Sequence, residues 1–548
     1  MTMLSAQGLA FHQAGRLADA EKIYNKVLAI QPDHFDCLHF LGVIFHQHGK
    51  HAEAVRQIDL ALKRDPRNAF ALNNRGNALL ELKRFDEALA SYDQALAALP
   101  NYPDALCNRG AALQELKRYD EALASCDRSI AMRPDYAEAH SNRGNTLKEL
   151  KRCEEALASC DRALALLPDF AEAHLNRGNA LHELRRFDEA LASYDRAIAQ
   201  RPDYAEALTN RGVTLQNLKR FDEALASYDR AIALRPDYAE AHYSEAMCRL
   251  LIGDFRRGWE KHEWRWQSKQ LKHVKRNFSR PPWLGSSEIA GKTILLHAEQ
   301  GFGDTIQFCR YAPLVAERAG RVILEAQSPL RALLSALPGV AQIVSTGEQL
   351  PDADFHCPLL SLPLAVGTMP SETPYLRASD AAVMRWNDRL GAAIRPRIGL
   401  AWAGSPTHKN DHNRSIALGS FLPSIADVEA TFVSLQRDMR TGDLAVLQGR
   451  TDILDVGDEL KDFADTAALI SNLDLIISVD TSVAHLAGAL GKPVWVLLPF
   501  IPDWRWLLDR EDSPWYPTVR LFRQDDTRGW DNVIARIHAA LHDHVRGL

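Results

Sequence analysis

The chain has no CxxC pair among its eight cysteines (37, 107, 126, 153, 160, 248, 309 and 357), and no His/Cys spacing of the kind that holds zinc. Most of these cysteines fall inside apolar helix or strand patterns, so reduced, buried thiols are expected. Long hydrophobic runs are missing too. The longest apolar stretches, such as LDLIISV and KPVWVLLPF, are of strand length, which excludes a transmembrane segment. The opening MTMLSAQGLAFHQAGRLADAEKIY lacks the basic, apolar, small-residue order of a signal peptide and carries polar residues at helical spacing, so a cytoplasmic location is expected. Nor is there an excess of positive charge. A formal net charge of -6 with 25% charged residues gives no global field for nucleic acid or anionic lipid. At 548 residues, the chain is too long for one hydrophobic core, and two or more domains are expected.

What is present first is a period. Prolines stand at 32, 66, 100, 134, 168, 202 and 236, each 34 residues after the last. Gly8, Gly42, Gly76, Gly110, Gly144, Gly178 and Gly212 keep the same step, as do Ala20, Ala54, Ala88, Ala122, Ala156, Ala190 and Ala224. These small residues are where two helices of a hairpin would touch. The second helix of a unit, FDEALASYDQALAALP, has apolar residues at i, i+3, i+4 and i+7 and ends at proline. This combination resembles the tetratricopeptide (TPR) family, with seven repeats plus a degenerate eighth over residues 1–266. The resemblance implies an all-α superhelix with a concave groove.

One stripe of the first helices is polar. Asn74, Asn108, Asn142, Asn176 and Asn210 recur at one repeat position, with Asp104, Glu138, Glu172 and Glu206 four residues before. Such offsets share a helical face. A solvated face would account for it. Asparagine, however, is a mediocre helix former that carries both donor and acceptor, so its repeated use also suits hydrogen bonding to an extended peptide backbone. A similar ladder lines the groove of the protein O-GlcNAc transferases, and a protein or peptide partner is expected there.

Residues 267–291 break the period with a surplus of Lys and Arg, then Pro281-Pro282 and Gly285, and are read as a linker. Trp259, Trp264 and Trp266 are expected to cap the last repeat and dock it on the next domain. Beyond lie short apolar strands alternating with helices: TILLHAE, RVILEA, AQIVSTG and DFHCPL, then RIGLAWAG, ATFVSLQ, DILDVG, LDLIISVD and PVWVLLP. That order implies parallel sheets in two Rossmann-like lobes, at 292–393 and 394–548, the second closed by a helix over 530–546.

Three segments carry candidate chemistry. Gly301-Phe302-Gly303-Asp304 comes after the first strand and opens a helix; Asp304 can cap that helix or act as a base. The motif lacks the third glycine of a dinucleotide fingerprint. Ser405, Thr407 and Lys409 lie in a loop after the first strand of the second lobe, where hydroxyls and a point charge suit a diphosphate. His408 and His412 are four apart without a third ligand, so no metal is expected. Asp480-Thr481-Ser482 precedes a helix bearing His485, whose free N–H groups can hold an anion. Gln436, ending a strand, can reach a nucleotide.

GFGDTIQ, GLAWAGSPTHK and ISVDTSVAHLAGALGKPVWVLLP resemble the ADP-heptose heptosyltransferases of glycosyltransferase family nine over about residues 292–525. The resemblance implies a GT-B fold, inversion at the anomeric carbon, and no metal or cofactor. It places the base at Asp304, with Gly301 and Gly303 on the acceptor-side loop, and donor contacts at Ser405, Lys409, Asp480, Thr481 and His485. Ser482 stands where the family has glycine. The expected activity is sugar transfer from a nucleotide-sugar donor to an acceptor hydroxyl, the first lobe on the acceptor side and the second on the donor side. The alternative is a TPR scaffold whose second domain only binds a glycan or nucleotide.

Overall fold

A computed structural model describes residues 2–547, which divide into two compact units between Pro236 and Asp237. The first unit contains seven antiparallel helix pairs among its described residues, for instance Ala69–Glu81 with Phe85–Ala98. The periodic glycines sit where the helices of a pair meet. A Cβ on Gly76 would lie 2.4 Å from the Tyr92 ring, and one on Gly144 would lie 2.4 Å from the Cys160 sulfur. Helix axes can approach this closely only where one partner has no side chain.

Two features of the array escape inspection of the sequence. Arg75, Arg109, Arg143, Arg177 and Arg211 each donate Nε to an aspartate sixteen residues earlier and Nη1 to a serine hydroxyl sixteen later, at 2.6–2.7 Å. One planar guanidinium thus stitches three successive helices. Between the helices of a pair the chain turns through a left-handed residue, which is Gly15 or Gly49 in the first two units but Lys83, Lys117, Lys151, Arg185 and Lys219 afterwards. Glycine is the residue that takes this conformation without strain, so the middle repeats forgo some stability there.

The second unit starts with the degenerate eighth pair, Ala239–Leu251 and Phe255–His262, so the division lies at 236/237 and not at 266. The reason is packing. Trp259 meets Phe308 and Trp504 edge-on at 6.0 and 5.0 Å between ring centroids, and Trp264 stacks on His242 at 4.0 Å. Arg265, fully buried, pairs with Glu263 and Glu299 and donates to the Ser361 hydroxyl. The basic linker is ordered as well: Arg276 pairs with Glu325 at 2.5 Å, and Trp283 N donates to His356 O at 2.8 Å.

Beyond the linker stand two parallel sheets. The first has order β3-β2-β1-β4, made of β1 (Thr293–His297), β2 (Arg321–Ala326), β3 (Val340–Ser345) and β4 (Phe355–Pro358). The second has order β10-β9-β8-β5-β6-β7, made of β5 (Arg397–Ala401), β6 (Thr431–Ser434), β7 (Ile453–Asp455), β8 (Leu475–Val479), β9 (Val494–Leu498) and β10 (Val519–Arg523). Nine of these strands coincide with the apolar runs of the sequence. The tenth, VRLFR, has its apolar run interrupted by Arg520 and Arg523 and forms the edge beside β9. The segment TIQFCRYAPLVAE is not one helix: helix α1 (Phe302–Phe308) ends, a tight turn spans Cys309–Tyr311, and a short helix resumes at Ala312–Ala316. Pro313 has no N–H for the carbonyl of Cys309. Three further helices border or support the site: α2 (Phe463–Ser471), α3 (Ser482–Ala489) and α4 (Asp531–Arg546), the last packing Val533, Ile534, Ile537 and Leu541 into the core of the second lobe. Among the described residues no helix is long and apolar enough to cross a membrane.

Candidate functional site

A cavity of 710 Å³ lies where the β1–α1 turn of the first lobe faces the β5, β6 and β8 ends of the second. That is where parallel sheets bind ligands, because the strand ends splay and the loops are free to vary. Gly301, Gly303, Asp304, Ser405, Thr407, Gln436, Asp480, Thr481, Ser482 and His485 all line it. Lys409 does not: it is exposed, and the loop turns it outward. Arg414, five residues on, faces the cavity in its place, its guanidinium lying where a Cβ on Gly404 would be and donating to the Asp480 carbonyl at 3.0 Å. The crowding of His and Arg in NDHNRS was the available signal for it.

Asp304 caps its helix and does more. One carboxylate oxygen accepts the Gly301 N–H at 2.8 Å; the other pairs with Arg505. Burial pushes its proton affinity above the ordinary aspartate range, and Arg505 opposes that shift. Arg505 lies after β9, in the segment IPDWRW, and no pattern in the sequence marked it. Its Nη1 donates to Asp503 at 2.8 Å and its Nε to Gln307 at 2.6 Å, while the guanidinium stacks 4.3 Å over Trp504.

The start of α3 is open. Thr481 is the N-cap residue and no side chain caps the helix, so Asp480 is not a cap. No side chain accepts from the first N–H groups of α3, and Thr481, Ser482 and Val483 at that helix start line the cavity, a combination suited to receiving a phosphate. Asp480 is pushed up from the ordinary range by burial and then by the charge of Asp503. His485 is held neutral by burial and by Arg505, Arg310 and Arg414; its Nδ1 meets the Tyr516 hydroxyl at 3.0 Å and its Nε2 lies 3.8 Å from Asp480. Gly303 is small because of this histidine: a Cβ there would lie 2.9 Å from the His485 ring. The glycine therefore serves the approach of α1 to α3.

The remaining residues divide the cavity. Gln436 accepts from Ala403 N at 3.1 Å and donates to Asp438 O at 3.2 Å, so its amide is spent on holding the β5 and β6 ends. Ser405 and Thr407 share a hydrogen bond of 2.9 Å at the exposed rim. Phe302 and Phe463 stand 5.0 Å apart and give the cavity an apolar side. Among the described residues, no cluster of three His, Cys, Asp or Glu side chains forms a metal site.

In the first unit, the asparagine stripe is half-buried and engaged. Each amide donates to the preceding repeat: Asn74 to His39 and Asn108 to Asn73 Oδ1 at 3.0 Å, Asn142 to Cys107 Sγ at 3.3 Å, Asn176 to Ser141 Oγ at 3.0 Å, and Asn210 to Asn179 Oδ1 at 2.8 Å. The ladder is thus neither freely solvated nor wholly available to a peptide.

Comparison with known proteins agrees with this division. Tetratricopeptide repeat models match residues 2–34, four overlapping stretches from 41 to 205, and 205–238. The model of Glycosyltransferase family 9 (heptosyltransferase) matches residues 459–497, which hold α2, Asp480 to His485 and α3. The protein FlbA of Caulobacter vibrioides is 24% identical over 330 residues, 55% of this chain and 54% of its own; the chain thus spans about half the length of that curated relative. Among solved structures, a tetratricopeptide repeat protein from Parabacteroides merdae is 19% identical over 45% of this chain and 98% of its own, with a TM-score of 0.39. One from Thermus thermophilus is 27% identical over 33% of this chain and 100% of its own, with a TM-score of 0.32.

Proposed function

We propose that the second unit is an inverting, metal-independent glycosyltransferase of GT-B architecture, acting in the cytoplasm on a nucleotide-sugar donor, and that the TPR array recruits a protein acceptor or a partner. The observation that carries this reading is the joining, in one cavity, of a carboxylate from the first lobe with an uncapped helix start and an arginine from the second. Asp304 takes the proton of an acceptor hydroxyl as its oxygen attacks the anomeric carbon. The bond from that carbon to the donor phosphate breaks, and the departing diphosphate is received by the α3 N–H groups, Thr481, Ser482 and Arg414. Phe302 and Phe463 offer a face to the nucleobase. The asparagine ladder keeps its carbonyl oxygens and remaining N–H groups for a peptide in the groove.

The test is turnover of a panel containing ADP-heptose and ADP-, UDP- and GDP-hexoses, read as nucleotide diphosphate release, with Asp304→Asn as control. Asn keeps the shape and a capping oxygen. Release from the active donor should fall at least about a hundredfold in the variant while donor affinity persists. Binding of a nucleotide sugar without turnover by the wild type would favour the non-catalytic scaffold; no binding at all would refute both.

A further inference from the structure

The cavity contains a cation that neither the motifs nor the proposed chemistry uses. Arg505 belongs to the second lobe, yet two of its three polar partners, Asp304 and Gln307, lie on α1 of the first lobe, three residues apart on one face. The third, Asp503, accepts from Nη1 and also from the Arg505 backbone N–H, which fixes the root of the side chain. Stacking on Trp504 and the neighbourhood of Phe308 hold the plane of the guanidinium. Arg505 itself is 7% exposed, so its charge is little screened. A lysine could not reach all three acceptors, because a planar fork is needed to address Nε, Nη1 and Nη2 partners together.

We infer that Arg505 is a positioning residue for Asp304: the second lobe reaches across the cavity and, through one guanidinium fork, sets both the aim and the charge of the carboxylate on the first. The inference rests on Asp304 being the proton acceptor of the proposed reaction. A base carried by one lobe is thereby readied by the lobe that binds the donor, so the two halves of the chemistry are assembled together. The other groups facing Asp304 do not substitute for this. Asp503 and Glu299 are acidic and disfavour its charge, while His408 and His485 are held towards the neutral form by burial. The Gly301 N–H favours the carboxylate but belongs to the same helix start.

Removing the cation takes away the largest opposition to burial and leaves only the weaker effects of the Gly301 N–H and His408, so the carboxyl of Asp304 rises further above its ordinary range. The folded state then prefers the neutral acid, and stability is lost as pH climbs from about 4 through the raised value. The experiment has two arms. In the first, urea unfolding of the full chain is monitored by tryptophan fluorescence from pH 5 to 9 for wild type, Arg505→Met, Asp304→Asn and the double variant. The loss of midpoint caused by Arg505→Met should grow with pH in the wild-type background and become flat in the Asp304→Asn background. A loss with the same pH dependence in both backgrounds would overturn the inference.

In the second arm, diphosphate release from the panel is measured against pH for wild type, Arg505→Met and Arg505→Lys. The acidic limb should move up by about one unit or more in Arg505→Met and partly return in Arg505→Lys. An unmoved limb with a uniformly lower rate would make Arg505 a structural residue only. If the panel gives no turnover, the proposed transferase falls while the first arm still decides whether Arg505 governs Asp304.

Discussion

Replacing Asn108, Asn142 and Asn176 with alanine in one chain should destabilise the repeat array by about 2 kcal/mol, although alanine is the better helix former at every site. Propensity alone would add up to about 0.7 kcal/mol of stability per substitution. Against this stands the loss of the bonds between repeats. Asn108 is the donor to Asn73, whose side chain is buried, and Asn176, itself 7% exposed, is the donor to Ser141, which is fully buried. Each substitution leaves a buried polar partner without its bond, at a cost of about 1–3 kcal/mol. Asn142 donates to a thiol sulfur, a weak acceptor, so its loss should about cancel the gain in propensity. The single variants should therefore rank Asn108 and Asn176 well ahead of Asn142. The assay can separate the two units because all eleven tryptophans lie at or beyond position 259. Urea unfolding monitored by ellipticity at 222 nm reports chiefly the helical array; tryptophan fluorescence reports the second unit. The expected result is an earlier helical transition with an unmoved fluorescence transition. A triple variant as stable as wild type would refute the reasoning and return the stripe to solvated surface; an Asn142 variant as damaged as the other two would refute the ranking by acceptor strength.

Three other outcomes rest on particular contacts. Arg414→Ala should weaken binding of the active nucleotide sugar by about 1.5–3 kcal/mol by calorimetry, whereas Lys409→Ala, outside the cavity lining, should change it by less than about 0.5 kcal/mol. Gly303→Ala places a methyl group 2.9 Å from the His485 ring and must part α1 from α3; turnover should fall at least about tenfold, and a variant with wild-type turnover would show that this approach is not needed. Lys117→Gly relieves a left-handed backbone at φ 59° and should raise the stability of the array by about 0.5–1 kcal/mol by urea titration, while a loss would mean that the lysine side chain carries an interaction worth more than the strain.

Sequence alone determined whatever repeats or alternates along the chain. A step of 34 residues in proline, glycine and alanine, with apolar residues at helical spacing, resembles the TPR family and so implies stacked helical hairpins, each pair burying its apolar stripe against the next. Nine strands were legible because each is a short apolar run between breakers, whereas β10 was hidden by two arginines, Arg520 exposed and Arg523 half-buried with its guanidinium donating to the carbonyls of Trp506, Leu507 and Arg510. The turns at Asp304 and Asp480 were legible for the same local reason: a strand, a polar turn and a helix leave N–H groups unbonded at a known place.

Only the tertiary structure decided which side chains share those turns. Lys409 and Arg414 look alike as candidates in one loop, and the path of the chain sends one outward and the other under Gly404. Arg505 lies 201 residues from Asp304, so no spacing rule could join them. The asparagine ladder shows the same limit, since its period marks a common face while its bonds to the preceding repeat depend on the angle at which repeats stack. Local patterns are set by the geometry of one helix or strand, but a site is set by the meeting of several, and that meeting is encoded in packing spread over the whole unit.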